Sequence, residues 1–133
     1  MTHPRCVGWG EIGLDYHYNL SPPETQRDVF TRQLRHAVKL DKPLTIHTRE
    51  AEEDTERILK AEVPQSHKVN RIALTKSTNL TSLPEKIHIH CFTDTPEFAQ
   101  RLLDFFPNLY IGITGRSSCS SQTLISLIQS LKV

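Results

Sequence analysis

Cysteine is scarce in this 133-residue sequence, and no long apolar run is present. Cys6, Cys91 and Cys119 are odd in number, widely spaced and form no CxxC pair. We therefore expect no disulfide framework and predict a reduced intracellular compartment, the cytoplasm or the nucleus. No stretch of about 18 apolar residues indicates a membrane span. The N-terminal residues Met1–Arg5 also lack the charged-then-apolar order of a signal peptide.

An excess of charge of one sign is also absent. Lys and Arg number 16 against 15 Asp and Glu, which gives a formal net charge of +1. This balance excludes a broad basic surface for nucleic acid. If the protein binds nucleic acid, it has to do so at a local site.

Short strand-like runs alternate with amphipathic helices along the chain. We predict helices beginning near Ser21, Ala51, Pro96 and Ser121, with Ser21 as N-cap and Glu24 completing a capping box. The predicted strands are residues 7–15, 44–47, 87–92 and 109–113. Four successive strand–helix units predict an α/β fold with a parallel sheet.

The number of strand–helix units indicates how much of a barrel the chain can form. A closed (β/α)8 TIM barrel needs eight units and roughly 250 residues. We therefore predict a partial TIM barrel, in one domain covering residues 1–133. Because such a sheet has two open edges, the chain is expected to be a truncated product or to pair with something else.

A long polar segment, residues 64–85, interrupts this pattern between the second helix and the third strand. Connections of this kind normally take about 2–6 residues, so we interpret the segment as a surface loop or an insertion. Val69–Lys86 has no hydrophobic periodicity, and codons that encode its ends resemble splice signals. A translated intron is the alternative to a tolerated loop.

Strand parity gives every predicted strand one apolar and one polar face, because alternate residues point to opposite sides. The polar faces bring Glu11, His47 and His90 to the C-terminal ends of three strands, where β/α barrels build their active sites. A carboxylate and two imidazoles can bind a divalent ion. One such histidine alone is more often structural, but three groups with matching parity favour a metal site.

His88 and His90 form an HxH pair on one face of the third strand. Two residues of strand span about 6.6–6.8 Å, so His88 lies one layer deeper than His90. We predict that His90 is the ligand and that His88 is a core residue or supports the ligands.

Four segments, in this order along the chain, resemble signatures of the TatD-type deoxyribonuclease family: Gly10–Tyr16, Ile46–Arg49, His90–Thr93 and Tyr110–Gly115. The resemblance implies an eight-stranded metallohydrolase barrel that hydrolyses DNA phosphodiester bonds. It also implies a centre of two divalent ions, Mg²⁺ or Zn²⁺. Single-stranded DNA ends are the substrate and partner that we expect.

By resemblance, Glu11 would bridge the two metals, and His47 and His90 would hold one of them. Arg49 would orient a phosphate or support His47, with a solvated surface arginine as the alternative. Asp15 and His17 are expected to shape the loop after the first strand.

The sequence departs from the family pattern in three places. The family has an N-terminal strand with an HxH pair, whereas only His3 precedes Glu11 here. The family also has a late Asp ligand, beyond the matched segments, and Asp94 stands where it usually has Gly. One metal then has most of its ligands and the other almost none, so we expect weak or absent activity from this chain alone. The alternatives are a related metallohydrolase acting on a small amide or ester, a non-catalytic barrel fragment, and a gene-model artefact.

Overall fold

The computed structural model describes His3 and residues 5–18, 20–64 and 87–113. Within these residues lie four strands and three helices, in the order β1 (Trp9–Asp15), α1 (Pro23–Lys39), β2 (Leu44–Arg49), α2 (Glu52–Glu62), β3 (Ile87–Ile89), α3 (Pro96–Phe105) and β4 (Leu109–Ile111). The predicted helix near Ser121, the segment Val69–Lys86 and all of the 64–85 segment except Pro64 lie outside the described residues.

The four strands form one parallel sheet in the sequential order β1–β2–β3–β4. Leu44 of β2 pairs with Ile87 of β3, which in turn pairs with Leu109 of β4. A sheet of consecutive parallel strands linked by helices is the arrangement found in a β/α barrel. The prediction of an α/β fold with a parallel sheet is confirmed.

The core lies between one face of this sheet and the helices. The largest fully buried side chains come from both layers, including Phe30, Phe98, Leu14, Leu34, Ile46, Leu59, Ile87, Ile89 and Leu102. Burying a side chain of this size stabilises the fold by about 1.5–3 kcal/mol. The predicted parity is confirmed in β1 and β2, where alternate residues are buried, and the opposite face carries polar groups. The third strand ends at Ile89 and not at residue 92 as predicted, because Cys91 has a left-handed backbone that cannot continue a strand.

The start of α1 differs from its prediction. The N-cap position is Pro22, and no side chain caps the helix, which begins at Pro23. Ser21 uses its carbonyl to accept a hydrogen bond from Gln26 Nε2 at 2.9 Å. The predicted capping box with Glu24 is therefore wrong, because two consecutive prolines already fix the backbone and have no N–H groups that need a cap.

Charged side chains of α2 pair with one another along the helix. Lys60 lies 2.7 Å from Glu56, at i,i+4. Arg57 bonds Asp54, at i,i+3. Asp54 also accepts a hydrogen bond from the Tyr16 hydroxyl at 2.8 Å, so this carboxylate ties α2 to the residue that follows β1.

Candidate metal centre

Glu11, His47 and His90 meet at the C-terminal end of the sheet, as potential ligands of one ion. His90 Nε2 lies 2.6 Å from Glu11 Oε1 and 3.2 Å from His47 Nδ1. His47 Nδ1 lies 3.3 Å from the same Glu11 oxygen. Two neighbouring parallel strands supply Glu11 and His47, and His90 directly follows the third, so the three groups meet as the parity argument predicts. His88 is not part of this cluster.

The three donor atoms have a spacing that fits one divalent ion. A triangle with these sides has a point about 2.1 Å from every corner, and bonds from a metal ion to imidazole nitrogen or carboxylate oxygen have this length. The Glu11 side chain is 55% exposed, while those of His47 and His90 are 26% and 23% exposed. The donor set and its partial exposure therefore fit one ion with room for a substrate group.

Asp15 supports the cluster from behind His47. With His47 Nδ1 facing the other two ligands, its Nε2 lies 3.3 Å from Asp15 Oδ2. A carboxylate at the remote nitrogen of a ligating imidazole fixes the ring orientation and the tautomer. Asp15 Oδ1 also accepts from the backbone N–H groups of His17 and Tyr18, at 3.0 and 3.3 Å. The predicted loop-shaping role of Asp15 is confirmed, and its contact with His47 is a second role that we did not predict.

Gln26 of α1 holds the backbone of Asp15 in place. Its Oε1 accepts from the Asp15 N–H at 2.9 Å, and its Nε2 donates to the Asp15 carbonyl at 3.0 Å. One side chain thus satisfies both backbone groups at the end of an edge strand. The sequence shows only a polar residue in the second turn of a helix, which gives no signal of this role.

The chain adopts a left-handed backbone conformation just after β2 and just after His90. Glu50 directly follows β2 with φ 53°, and Cys91 directly follows His90 with φ 49°. Left-handed residues other than glycine are uncommon and cluster at functional sites. Cys91 Sγ lies 3.1 Å from His90 Nδ1, the ring nitrogen that faces away from the cluster.

Asp94 and Glu52 join the loop after β2 to the loop after β3. Asp94 Oδ1 accepts from the Glu50 N–H at 3.3 Å, while its Oδ2 is buried without a hydrogen-bond partner among the described residues. Glu52 accepts from the N–H and the hydroxyl of Thr95 at 2.8 and 3.0 Å. Thr95 in turn caps α3 by accepting from the Phe98 N–H.

Burial raises the pKa of Asp94 to about 6. The nearby Glu52 carboxylate acts in the same direction, and the Thr48 hydroxyl, the Glu50 N–H and His47 lower the pKa only in part. The surroundings of Asp94 therefore favour the neutral carboxyl group over the negatively charged carboxylate.

Arg49 lies on the same face of β2 as His47 but does not contact it through a hydrogen bond. Its guanidinium lies over the Tyr18 ring, 5.1 Å from the ring centre. In the part of the chain that the structure describes, this guanidinium has no hydrogen bond and no ion pair. A half-buried arginine of this kind is available to an anionic group brought to the centre.

His88 lies outside the cluster, and its side chain is exposed, so the prediction that it is a core residue is wrong: among the described residues nothing covers this face of the sheet at His88. It pairs in register with Thr45 of β2 and Tyr110 of β4, and its Nε2 would lie 2.5 Å from a Cβ placed on Gly112. The imidazole therefore packs against Gly112, which directly follows β4.

No helix among the described residues has the length and apolar character needed to cross a membrane.

The whole chain, residues 1–133, matches the family model described as TatD related DNase. The human 3'-5' RNA nuclease TATDN2 is 41% identical over 122 residues, which are 91% of this chain and 14% of the human protein. The 3'-5' ssDNA/RNA exonuclease TatD of Escherichia coli is 35% identical over 114 residues, which are 86% of this chain and 36% of the bacterial protein.

Two further relatives have less specific descriptions. The uncharacterized metal-dependent hydrolase YabD of Bacillus subtilis is 34% identical over 114 residues and is covered to 37% of its length. A crystal structure of an uncharacterized amidohydrolase from Saccharomyces cerevisiae superposes with a TM-score of 0.60 at 34% identity, over 78% of this chain and 32% of that one. The chain spans about a third of the bacterial and yeast proteins and about a seventh of the human protein.

Proposed function

Because this chain belongs to the TatD related DNase family, we propose that it carries part of a metal-dependent nuclease centre that hydrolyses phosphodiester bonds. The observation that carries the proposal is the triangle of Glu11 Oε1, His47 Nδ1 and His90 Nε2, whose sides of 2.6, 3.2 and 3.3 Å fit one divalent ion. Residues 1–133 act as one partial barrel domain in this proposal, and a cytoplasmic or nuclear location remains a prediction.

The residues of this chain have distinct parts in the proposed reaction. Glu11, His47 and His90 hold the ion, and Asp15 keeps Nδ1 of His47 directed at it. The ion, when bound, supplies Lewis-acid stabilisation of the charge on a phosphoryl oxygen. Arg49 donates hydrogen bonds to the phosphate, because its guanidinium is unpaired among the described residues and its planar fork of N–H groups can bond two phosphate oxygens at once.

The donor set also bears on the choice of metal. Two imidazoles and one carboxylate suit Zn²⁺ better than Mg²⁺, which prefers oxygen ligands. Of the two metals expected by resemblance, we propose Zn²⁺ as the better fit and use Mn²⁺ as a probe. Glu11 has a second carboxylate oxygen and is the most exposed ligand, which suits a bridge to a second ion.

Single-stranded nucleic acid is the proposed substrate. The relative from Escherichia coli is described as an exonuclease of ssDNA and RNA, and the human relative as an RNA nuclease. The net charge of +1 gives no general attraction for a duplex, whereas a strand end can enter a local centre.

Hydrolysis of a small amide or ester is the second candidate. The likeness to a crystal structure described as an amidohydrolase favours it, because barrels of this kind present similar ligands to different substrates. A non-catalytic fragment is the third candidate, since the described residues provide only three ligands.

Hydrolysis assays on the purified chain with Mn²⁺ separate these candidates. We expect slow release of nucleotides from a single-stranded oligonucleotide and no cleavage of p-nitrophenyl acetate or a dipeptide amide. Glu11→Gln should abolish the release without changing the circular dichroism spectrum. Cleavage of the small substrates but not of the oligonucleotide would favour the second candidate, and failure on all substrates would favour the third.

A further inference from the structure

The loop after β1 presents an aromatic side chain at the rim of the metal centre. Tyr18 is 53% exposed, although large aromatic side chains normally contribute most when buried. Arg49 covers one face of its ring, and the rings of His17 and Tyr18 form a T-shaped pair, with 4.8 Å between centroids and 85° between planes. Among the described residues, about half of the Tyr18 side chain stays exposed and is available to stack against a planar group.

The position of this ring is fixed relative to the metal ligands. The Tyr18 N–H donates to Asp15 Oδ1, and the other oxygen of the same carboxylate faces His47 Nε2. His17 Nδ1 lies 2.7 Å from Glu50 Oε1 on the loop after β2. Both loops that flank the ring are therefore tied to residues next to ligands, so the ring is held at a set distance from the centre.

Arg49 extends this geometry from the metal towards the aromatic ring. It follows His47 by two residues on the same strand and face, a separation of about 6.6 Å. Its neighbour Glu50 is engaged by His17, so that carboxylate is already paired and Arg49 keeps its donors for another anion. A cation and an aromatic face side by side match the two parts of a nucleotide, the phosphate and the base.

We propose that Tyr18 and Arg49 form a nucleotide platform at the rim of the centre. A base of a single-stranded nucleic acid stacks on Tyr18, and the phosphate next to that base pairs with Arg49. The inference rests on the proposed nuclease function and deepens it by naming the residues that select an unpaired base. Stacking of this kind is tolerant of base identity, because every base has a π-face.

The platform also accounts for binding by a chain with little net charge. Proteins that bind through phosphates alone need several basic residues in one place. A stacked base adds affinity that does not depend on charge, so one arginine beside one aromatic ring is enough to position a strand end. Binding of a protein partner on the same surface would not depend on an unpaired base. Dependence of binding on a base therefore distinguishes a nucleic acid partner from a protein partner.

Equilibrium binding of oligonucleotides with and without a base tests the platform. The probes are two fluorescein-labelled thymidine octamers with identical phosphates, one intact and one carrying an abasic site at the 3'-terminal nucleotide. A series with the abasic site moved along the strand locates the stacked position. Anisotropy titrations with Mn²⁺ at low temperature should give about 5- to 100-fold tighter binding of the intact octamer.

The variants distinguish stacking from a structural role. Tyr18→Leu should reduce this preference to near unity while leaving the affinity for the abasic octamer unchanged, and Tyr18→Phe should retain the preference. Tyr110→Leu, at a tyrosine of β4 that is 60% exposed, is the matched control and should retain it too. Arg49→Gln should weaken both octamers by a similar factor, because both have the same phosphates.

Three results would overturn the platform while leaving the nuclease proposal in place. The wild-type chain could bind and cleave oligonucleotides with no preference for a base at any position. Tyr18→Leu could leave the preference unchanged, as expected if the surface serves a protein partner. Tyr18→Leu could also weaken both octamers equally, which would assign Tyr18 a structural role. A chain that binds Mn²⁺ but no octamer would instead contradict the proposed function itself.

Discussion

Replacing Asp94 with Asn tests whether a buried carboxylate at the junction of two site loops destabilises the fold. The ordinary pKa of 3.8 is raised to about 6 in the folded chain, chiefly by burial. The folded state therefore binds this proton more tightly than the unfolded chain does. As the pH rises from about 4 to about 6, the free energy of unfolding falls, because Asp94 ionises more readily in the unfolded chain. Above about pH 6 the full loss of stability is present.

The size of this cost follows from the two pKa values. Their difference corresponds to about 3 kcal/mol, at 1.36 kcal/mol for each pKa unit. Because Asp94 is only partly buried, solvent screening reduces this to about 1–2 kcal/mol. Asparagine keeps an oxygen that can accept from the Glu50 N–H, now 3.3 Å from Oδ1, and it carries no charge at any pH. Asp94→Asn should therefore stabilise the chain by about 1–2 kcal/mol above pH 7 and by close to nothing below pH 4.

Urea unfolding followed by the fluorescence of Trp9, the single tryptophan, measures this difference at several pH values. The buffer contains a chelator so that no metal ion contributes. Asp28→Asn is the matched control, because Asp28 is exposed on α1, and its free energy of unfolding should change by less than about 0.5 kcal/mol. A destabilising effect of Asp94→Asn at pH 7.5, or a gain that is equal at pH 4 and pH 7.5, would refute the reasoning.

Two further predictions concern the support of His47. Asp15→Asn should weaken Mn²⁺ binding by about 10- to 100-fold in a calorimetric titration, because the remote nitrogen of His47 loses its carboxylate. An unchanged affinity would show that the 3.3 Å contact does not orient the ring. Gly13→Ala should destabilise the chain by more than about 2 kcal/mol in urea unfolding, since φ is 150° and a Cβ would lie 1.9 Å from the His47 carbonyl oxygen. Gly8→Ala is its control, with only an ordinary contact of 3.5 Å, and equal effects of the two substitutions would contradict the account.

The periodicity of the sequence was sufficient to predict the parallel α/β sheet and the meeting of Glu11, His47 and His90. Alternation in β1 and β2 separates Ile12 and Ile46 from Glu11 and His47, and burial follows that separation. Parity could also have indicated that Asp15 shares the face of Glu11, since the two are four residues apart on one strand. The contact between Asp15 and His47 was therefore within reach of the sequence.

Other features of the site depend on contacts between distant segments. Gln26 is eleven residues from Asp15, and its role arises because α1 passes the end of β1. Neither Glu50 nor Cys91 is a residue type that predicts a left-handed backbone, although both adopt it. The raised pKa of Asp94 depends on burial between two loops, which local sequence patterns do not describe.

The stoichiometry and residue dependence of metal binding test the central claim most directly. Electron paramagnetic resonance counts free Mn²⁺ during a titration of the purified, metal-free chain. The account predicts one bound ion per chain for the wild type and for His88→Ala, and loss of that ion in Glu11→Gln and His47→Ala, with unchanged circular dichroism spectra. No bound ion in the folded wild type, or equal loss in His88→Ala and Glu11→Gln, would contradict the assignment of Glu11, His47 and His90 as the ligands.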